Sequence, residues 1–189
     1  LVGGKSANLG EMLQAGFPVP DGFAVTIEAY DRFLKGNNLD KYIYPLLKNL
    51  NYENTEELEK VTRLIRNKLM KGEISNDIKK EIIKAYKKLS GRYKHILVAI
   101  RSSATAEDMP KTSFAGQQVT FLNVKGEANL LEYTKECWAS LFTARSVYYR
   151  FANKVPHKIV KISVVVQKMI QSEVSGVMFS IDPVTNQKD

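Results

Sequence analysis

A cation at the end of a predicted strand marks the stretch of this sequence that is best suited to bind an anion. Arg101 directly follows an apolar run, residues 96–100, that predicts a buried strand. Residues 102–108 are small or polar and have no helical or strand period, and Gly116 lies in the polar stretch that follows. Arginine offers a fork of N–H donors matched to phosphate oxygens, and small residues let backbone amides approach a ligand. The stretch is therefore a candidate phosphate site, and a structural salt bridge at Arg101 and ordinary turn chemistry both remain open as alternatives.

A second basic side chain, Lys5, follows two glycines at the start of a helical pattern. Leu9, Met12 and Leu13 give that pattern its apolar face, and Gly16 is placed to end the helix. Backbone amides at a helix start attract anions, and a lysine adds a full charge there. The spacing is not that of a Walker P-loop. Anion binding and a glycine turn with a solvent-exposed lysine both remain open.

The elements that must position these residues are mostly helical in the first half of the chain. Helical patterns cover residues 26–36, 39–50, about 54–70 and about 75–90, and we assign them no chemistry. Two more helices are predicted, one opened by Gly126 and one from about Ala144. Residues 159–170 and 174–181 are predicted to pair as a β-hairpin. This order, helices first and then strands mixed with helices, predicts an α+β fold.

The remaining reactive residue types indicate no metal site and no nucleophile. Cys137 stands beside Trp138 in a helical pattern, which favours a packed thiol. His95 and His157 lie far apart in sequence without metal-ligand spacing, and we expect both at the surface or at strand ends. Arg145 and Arg150 in the last predicted helix could bind anions, but exposed helix arginines are common, and we assign them no role.

The charge distribution argues against a nucleic-acid partner. The net charge is +8, and residues 35–95 contain fifteen Lys and Arg against eight Asp and Glu. These residues fall between the apolar positions of helical patterns and lack interleaved aromatic residues, so they predict a solvated lysine-rich face. No apolar run approaches the roughly 18 residues of a membrane span. Since the sequence begins with neither a start methionine nor a signal peptide, we expect it to be part of a longer protein.

Three stretches in order resemble one enzyme family. They are LVGGKSANLGEM at the start, VAIRSSATAEDMPKTSFAGQQVTFLNVKG in the centre and SGVMFSIDPVTN near the end. Together they resemble the N-terminal nucleotide-binding domain of the phosphoenolpyruvate synthase (pyruvate, water dikinase) family, to which pyruvate phosphate dikinase and rifampin phosphotransferase are related. The resemblance extends over nearly the whole chain and is least distinctive in the helical segment, residues 35–92.

The resemblance implies an ATP-grasp-like fold and a set of ATP-binding residues. Residues 1–189 would be part of the ATP-binding domain, with a helical part at about 26–92 and a strand-rich part at about 93–189. Lys5 and Arg101 would contact the ATP phosphates, and Gly116 would belong to a loop that covers them. Thr120 would line the same site, and Gln167 would lie on a strand beside the nucleotide.

The resemblance also implies a reaction that other domains complete. In the family, ATP phosphorylates a histidine on a swivelling domain, and a barrel domain transfers that phosphate to pyruvate, giving phosphoenolpyruvate, AMP and phosphate. The Mg²⁺ ligands lie beyond residue 189, so we expect no catalytic residue, no metal ligand and no activity in this chain alone, and a cytoplasmic parent enzyme. The alternatives are the ATP domain of a pyruvate phosphate dikinase or rifampin phosphotransferase, or a non-catalytic nucleotide-binding module.

Overall fold

The computed structural model describes residues 2–105, 119–179, 181–182 and 185. The helices in these ranges are α1 (Gly4–Gln14), α2 (Ile27–Gly36), α3 (Leu39–Lys48), α4 (Thr55–Met70), α5 (Asn76–Ser90), α6 (Glu127–Ala139) and α7 (Ala144–Ala152). The strands are β1 (Gly22–Val25), β2 (Leu97–Ala104), β3 (Thr120–Lys125) and β4 (Ile162–Lys168). The predicted α+β class is confirmed. No helix in the described ranges has the length and apolar character that crossing a membrane requires.

The four strands form one antiparallel sheet in the order β1–β4–β2–β3. Helices α2, α5 and α6 pack on one face of it, where Ile100, Val164 and Val166 are fully buried. Behind this face the ring of Trp138 lies 4.7 Å from the ring of Phe33, measured between centroids. Burial of these apolar side chains is the main force that holds the helices on the sheet.

Local capping signals in the sequence correspond to observed helix ends. The Thr26 hydroxyl accepts a hydrogen bond from the amide of Ala29 at the start of α2, and Asn54 accepts one from the amide of Glu57 at the start of α4. Gly91 follows α5 with a φ of 57°, a left-handed conformation that glycine adopts without a steric penalty. The predicted starts of these helices are confirmed because caps depend on neighbouring residues alone.

The central strand β2 is longer than the sequence indicates. We expected the strand to end at Ile100, but it continues to Ala104, and Ser102 and Ser103 are buried within it. The expectation of an irregular segment here was wrong because both faces of β2 are covered at Ser102 and Ser103. Where a helix lies close to a strand, small residues replace the large apolar ones on which a strand prediction depends.

The predicted β-hairpin does not form. Residues 174–179 belong to no strand, and Val174, Val177 and Met178 are largely exposed. The reason is the position of β4, which is paired with β1 along one edge and with β2 along the other. A following segment cannot pair with a strand whose two edges are both occupied.

Arg150 is buried and not exposed, which corrects the expectation from the helix pattern. Its side chain is 1% exposed. Its Nε donates to Nδ1 of His157 at 2.9 Å, and its Nη2 donates to the carbonyl of Leu141. Because Nδ1 of His157 accepts this bond, the ring proton is on Nε2, which lies 2.9 Å from the Tyr52 hydroxyl. Burial, aided by the charge of Arg150, lowers the pKa of His157 to about 4.

This neutral histidine predicts a loss of stability in weak acid. The pKa of His157 is about 4 in the folded chain against an ordinary 6.5, so the unfolded chain binds more protons between these values. The contribution of His157 to the free energy of unfolding should therefore be fully present above pH 6.5, and it should decrease as the pH drops towards 4. Urea titrations should give a loss from this residue of about 1–2 kcal/mol, allowing for the partial exposure of the ring.

A substitution separates this effect from general acid titration. The variant His157→Gln should show a shallower decline across the same pH window than the unmodified chain. Equal slopes for the two proteins would contradict the assignment of His157 as a buried neutral base.

Candidate functional site

The sheet face opposite the helical core contains the residues that the sequence singled out. Arg101 on β2 is directly paired with Thr120 on β3 and with Val165 on β4. Directly paired residues direct their side chains to the same face, and so do residues two apart along one strand. Gln167, two residues beyond Val165, therefore shares this face. Arg101, Thr120 and Gln167 come from three strands and lie on one surface.

Helix α1 begins on this same face. The amide of Gly3 donates to the hydroxyl of Ser163 at 2.9 Å, and that hydroxyl donates to the carbonyl of Ser103 at 3.2 Å. A Cβ atom on Gly3 would lie 2.4 Å from the Ser103 carbonyl oxygen, closer than any side chain allows. Glycine at position 3 therefore permits the contact, and the Ser163 hydroxyl fixes it.

This anchorage places Lys5 beside the strand of Arg101. Nζ of Lys5 lies 3.5 Å from the carbonyl oxygen of Ser102, the residue next to Arg101. The first amides of a helix have no intrahelical acceptor and add partial positive charge at the same end. Two basic residues that are 96 positions apart in sequence are thus neighbours at the α1 end of β2. Gly116, the other predicted phosphate contact, lies outside the described residues.

Several buried polar atoms near this helix start have no hydrogen-bond partner among the residues that the structure describes. They are Nε of Arg101 and the hydroxyl oxygens of Ser6 and Ser103. Arg101 also forms no ion pair within the described ranges, so the structural salt bridge considered above is not observed there. Leaving a buried donor unpaired costs about 1–3 kcal/mol. An anion bound against Arg101 and the start of α1 would supply the missing acceptors.

Gln167 has a structural contact of its own. Its Nε2 donates to the carbonyl of Pro20 at 3.3 Å and so ties β4 to the segment that leads into β1. The side chain is 8% exposed. It also lines a cavity of about 170 Å³ between α1 and the sheet, together with Ser6 and Val165. The amide group is thus one of the few polar groups on a mostly apolar part of this face.

Sequence reasoning did not select Ser163, although the anchorage of α1 depends on it. The only signal was a single hydroxyl in a run of apolar residues, ISVVVQ. A polar residue on a fully buried strand needs a specific partner, because an unpaired hydroxyl there is costly. That signal shows that a partner exists, but it does not say that the partner is the amide of Gly3.

The fold and this surface together define a class of protein. A mixed α+β domain has one sheet face on which an arginine, a lysine and a helix start converge. Such a surface is suited to phosphate groups. The class is therefore that of a domain with a candidate phosphate-binding face.

Comparison with known proteins gives the family. Residues 1–189 match the family described as pyruvate phosphate dikinase, AMP/ATP-binding domain. The chain belongs to this family.

Relatives from archaea support the same assignment over the full chain. Proteins described as probable phosphoenolpyruvate synthases are 50% identical in Staphylothermus marinus, over 98% of this chain and 23% of the relative, and 47% identical in Methanothermobacter thermautotrophicus, over 99% and 28%. A third, from Archaeoglobus fulgidus, is 52% identical over 100% of this chain and 25% of the relative. The chain spans about a quarter of the length of these relatives.

The close approach of Gly3 to β2 can be tested with a matched pair of alanine variants. Gly3→Ala should lower the free energy of unfolding by about 1–3 kcal/mol, because the added methyl group overlaps a strand carbonyl that cannot move without distorting the sheet. Gly10→Ala, also in the α1 region, meets no atom within 4 Å and should raise stability by about 0.5–1 kcal/mol. Urea denaturation of both variants checks the pair; equal effects would refute the contact.

Proposed function

We propose that this chain is the ATP-binding portion of a phosphoenolpyruvate synthase, with an ATP-grasp-like mode of holding the nucleotide. The parent protein would use ATP to phosphorylate a histidine on another domain and then pyruvate, producing phosphoenolpyruvate, AMP and phosphate. The family membership and the names of the relatives support this reaction. Pyruvate and the phosphohistidine domain are the partners that the proposal requires outside this chain.

The observation that best supports the proposal is the position of Arg101. Its Nε is buried without a partner among the described residues, and the residue is on the sheet face beside the anchored start of α1. The planar guanidinium is a rigid fork of donors, so less side-chain entropy is lost for each hydrogen bond that phosphate oxygens accept from it. Lys5 lies next to it and supplies a second positive charge to the same ligand.

These residues act by compensating charge during phosphoryl transfer. The transferring phosphoryl group spreads negative charge over its oxygens while the attacking and leaving atoms are in line. In the proposal the Arg101 guanidinium and the Lys5 ammonium hold those oxygens, Gly116 belongs to the covering loop and Thr120 lines the site. The side chain of Gln167 holds the edge of the site beside the nucleotide. The attacking nitrogen comes from the histidine of the other domain.

Magnesium ions, when bound to the phosphates, supply further charge compensation. The described residues contain no group of three or more His, Cys, Asp or Glu side chains that could hold a metal. The residues on this face are donors to phosphate oxygens, and we assign none of them to the metal.

Replacement of Arg101 tests the proposal in the full-length protein. Arg101→Ala should lower kcat/KM for ATP about 100-fold or more, which is the usual effect of removing one pre-organised donor to developing charge. Arg101→Lys should be intermediate because it keeps the charge but loses the fork of donors. AMP release in the presence of pyruvate measures the activity, and Arg145→Ala, an exposed arginine on α7, is the control.

Near-normal turnover in Arg101→Ala would exclude the assigned role. Assays with pyruvate and with rifampin identify the phosphoryl acceptor. AMP formation that depends on pyruvate supports a synthase, whereas AMP formation that depends on rifampin indicates an antibiotic phosphotransferase.

A further inference from the structure

A second concave surface lies on the helical side of the molecule, away from the sheet face of Arg101. It is a cavity of about 990 Å³ between α2, α3 and the segment of residues 156–161. Small-molecule sites in proteins usually enclose about 300–1,000 Å³, so this cavity could admit a molecule of metabolite size. The rings of Tyr44 and Tyr52 form part of its wall.

Positive charge dominates the lining of this cavity. Five lysines line it, against two aspartates, Asp31 and Asp40; the lysines are Lys35, Lys41, Lys48, Lys158 and Lys161. Lys161 pairs with Asp31, and Nζ of Lys158 lies 5.3 Å from the centre of the Tyr44 ring. The other three lysines form no ion pair within the described ranges. Their ammonium groups are available to an anionic ligand.

A buried guanidinium lies behind the cavity wall. Arg150 hydrogen-bonds to His157, which lines the cavity, and its Nη1 is buried without a partner in the described part of the chain. Among the described residues no carboxylate pairs with Arg150. A buried cation without a counter-ion is costly, and its field is screened less than that of a surface charge. The side chain therefore adds to the positive potential of the cavity.

We propose that this lysine-rimmed cavity binds a small polyanion, a molecule with several phosphate or carboxylate oxygens. Lys35, Lys41 and Lys48 would contact the anion directly. The negative charge of the anion would also partly compensate the positive charge of Arg150, which is buried behind the cavity wall. The volume of about 990 Å³ lies within the range of small-molecule sites, which favours a small molecule over an acidic protein segment. The proposal rests on residues other than those of the ATP site and does not require that site.

The two histidines of the chain provide an internal reporter of binding. The ring of His157 lines the cavity, whereas His95 lies beside Tyr86 of α5, with ring centroids 6.2 Å apart. At pH 7.5 the His157 ring is neutral because its pKa is lowered to about 4. In NMR titrations of the full chain with inorganic tripolyphosphate, the His157 Cε1–H resonance should shift to saturation and the His95 resonance should not move.

Paired charge substitutions test where the anion binds. The double variant Lys41→Gln/Lys48→Gln should weaken tripolyphosphate binding by about tenfold or more, because two charge-assisted contacts are lost. The matched control, Lys84→Gln/Lys88→Gln, removes the same net charge from exposed positions of α5 that do not line the cavity. It should leave the affinity within about twofold. A parallel titration with citrate decides whether phosphate or carboxylate oxygens are preferred.

Three outcomes would overturn the proposal. They are an unmoved His157 resonance at millimolar tripolyphosphate and citrate, equal weakening in the two double variants, and binding only of an acidic peptide such as oligoglutamate. The ATP-dependent activity of Arg101→Ala tests only the proposed ATP site. A failure of one proposal can therefore be distinguished from a failure of the other.

Discussion

The contact between Gly3 and the backbone of β2 is the constraint on which the candidate ATP site depends. A helix that begins within van der Waals distance of a strand carbonyl leaves no room for a side chain, and only glycine meets that condition. The hydroxyl of Ser163 on β4 then accepts a hydrogen bond from the amide of Gly3 and donates one to the carbonyl of Ser103 on β2, so that it joins the helix start to the sheet. Without this close approach Lys5 could not reach the strand of Arg101.

The same contact explains why the two faces of the sheet have different chemistry. Helices α2, α5 and α6 pack on the apolar face and bury it with large side chains, as usual for an antiparallel sheet in an α+β fold. The other face is covered only in part, by α1, and small residues on β2 and β4 allow the helix to approach. The polar and basic groups lie at the part of this face where α1 no longer covers the sheet. A fold that completed both layers would have buried Arg101 without room for a ligand.

The sequence was informative where structure depends on neighbours along the chain, and less so where it depends on distant ones. The caps at Thr26, Asn54 and Gly91 were predictable because each is satisfied within a few residues. The length of β2, the unpaired residues 174–179 and the burial of Arg150 were not, because each follows from strand order or from helix packing. Lys5 and Arg101 could be chosen by residue type, but their proximity is a tertiary fact. The anchoring role of Ser163 required the structure.

Hydrogen bonds at one end of the sheet link the two proposed anion sites. The amide of Thr105, which follows β2, donates to the carbonyl of Lys161, and the amide of Lys161 donates back to the Thr105 hydroxyl. Lys161 lines the lysine-rimmed cavity and precedes β4, while β2 contains Arg101. An anion that competes with Asp31 for Lys161 would therefore act on the residues that join β2 to β4. Because packed strands move little relative to one another, coupling between the sites would depend on this junction and not on the sheet as a whole.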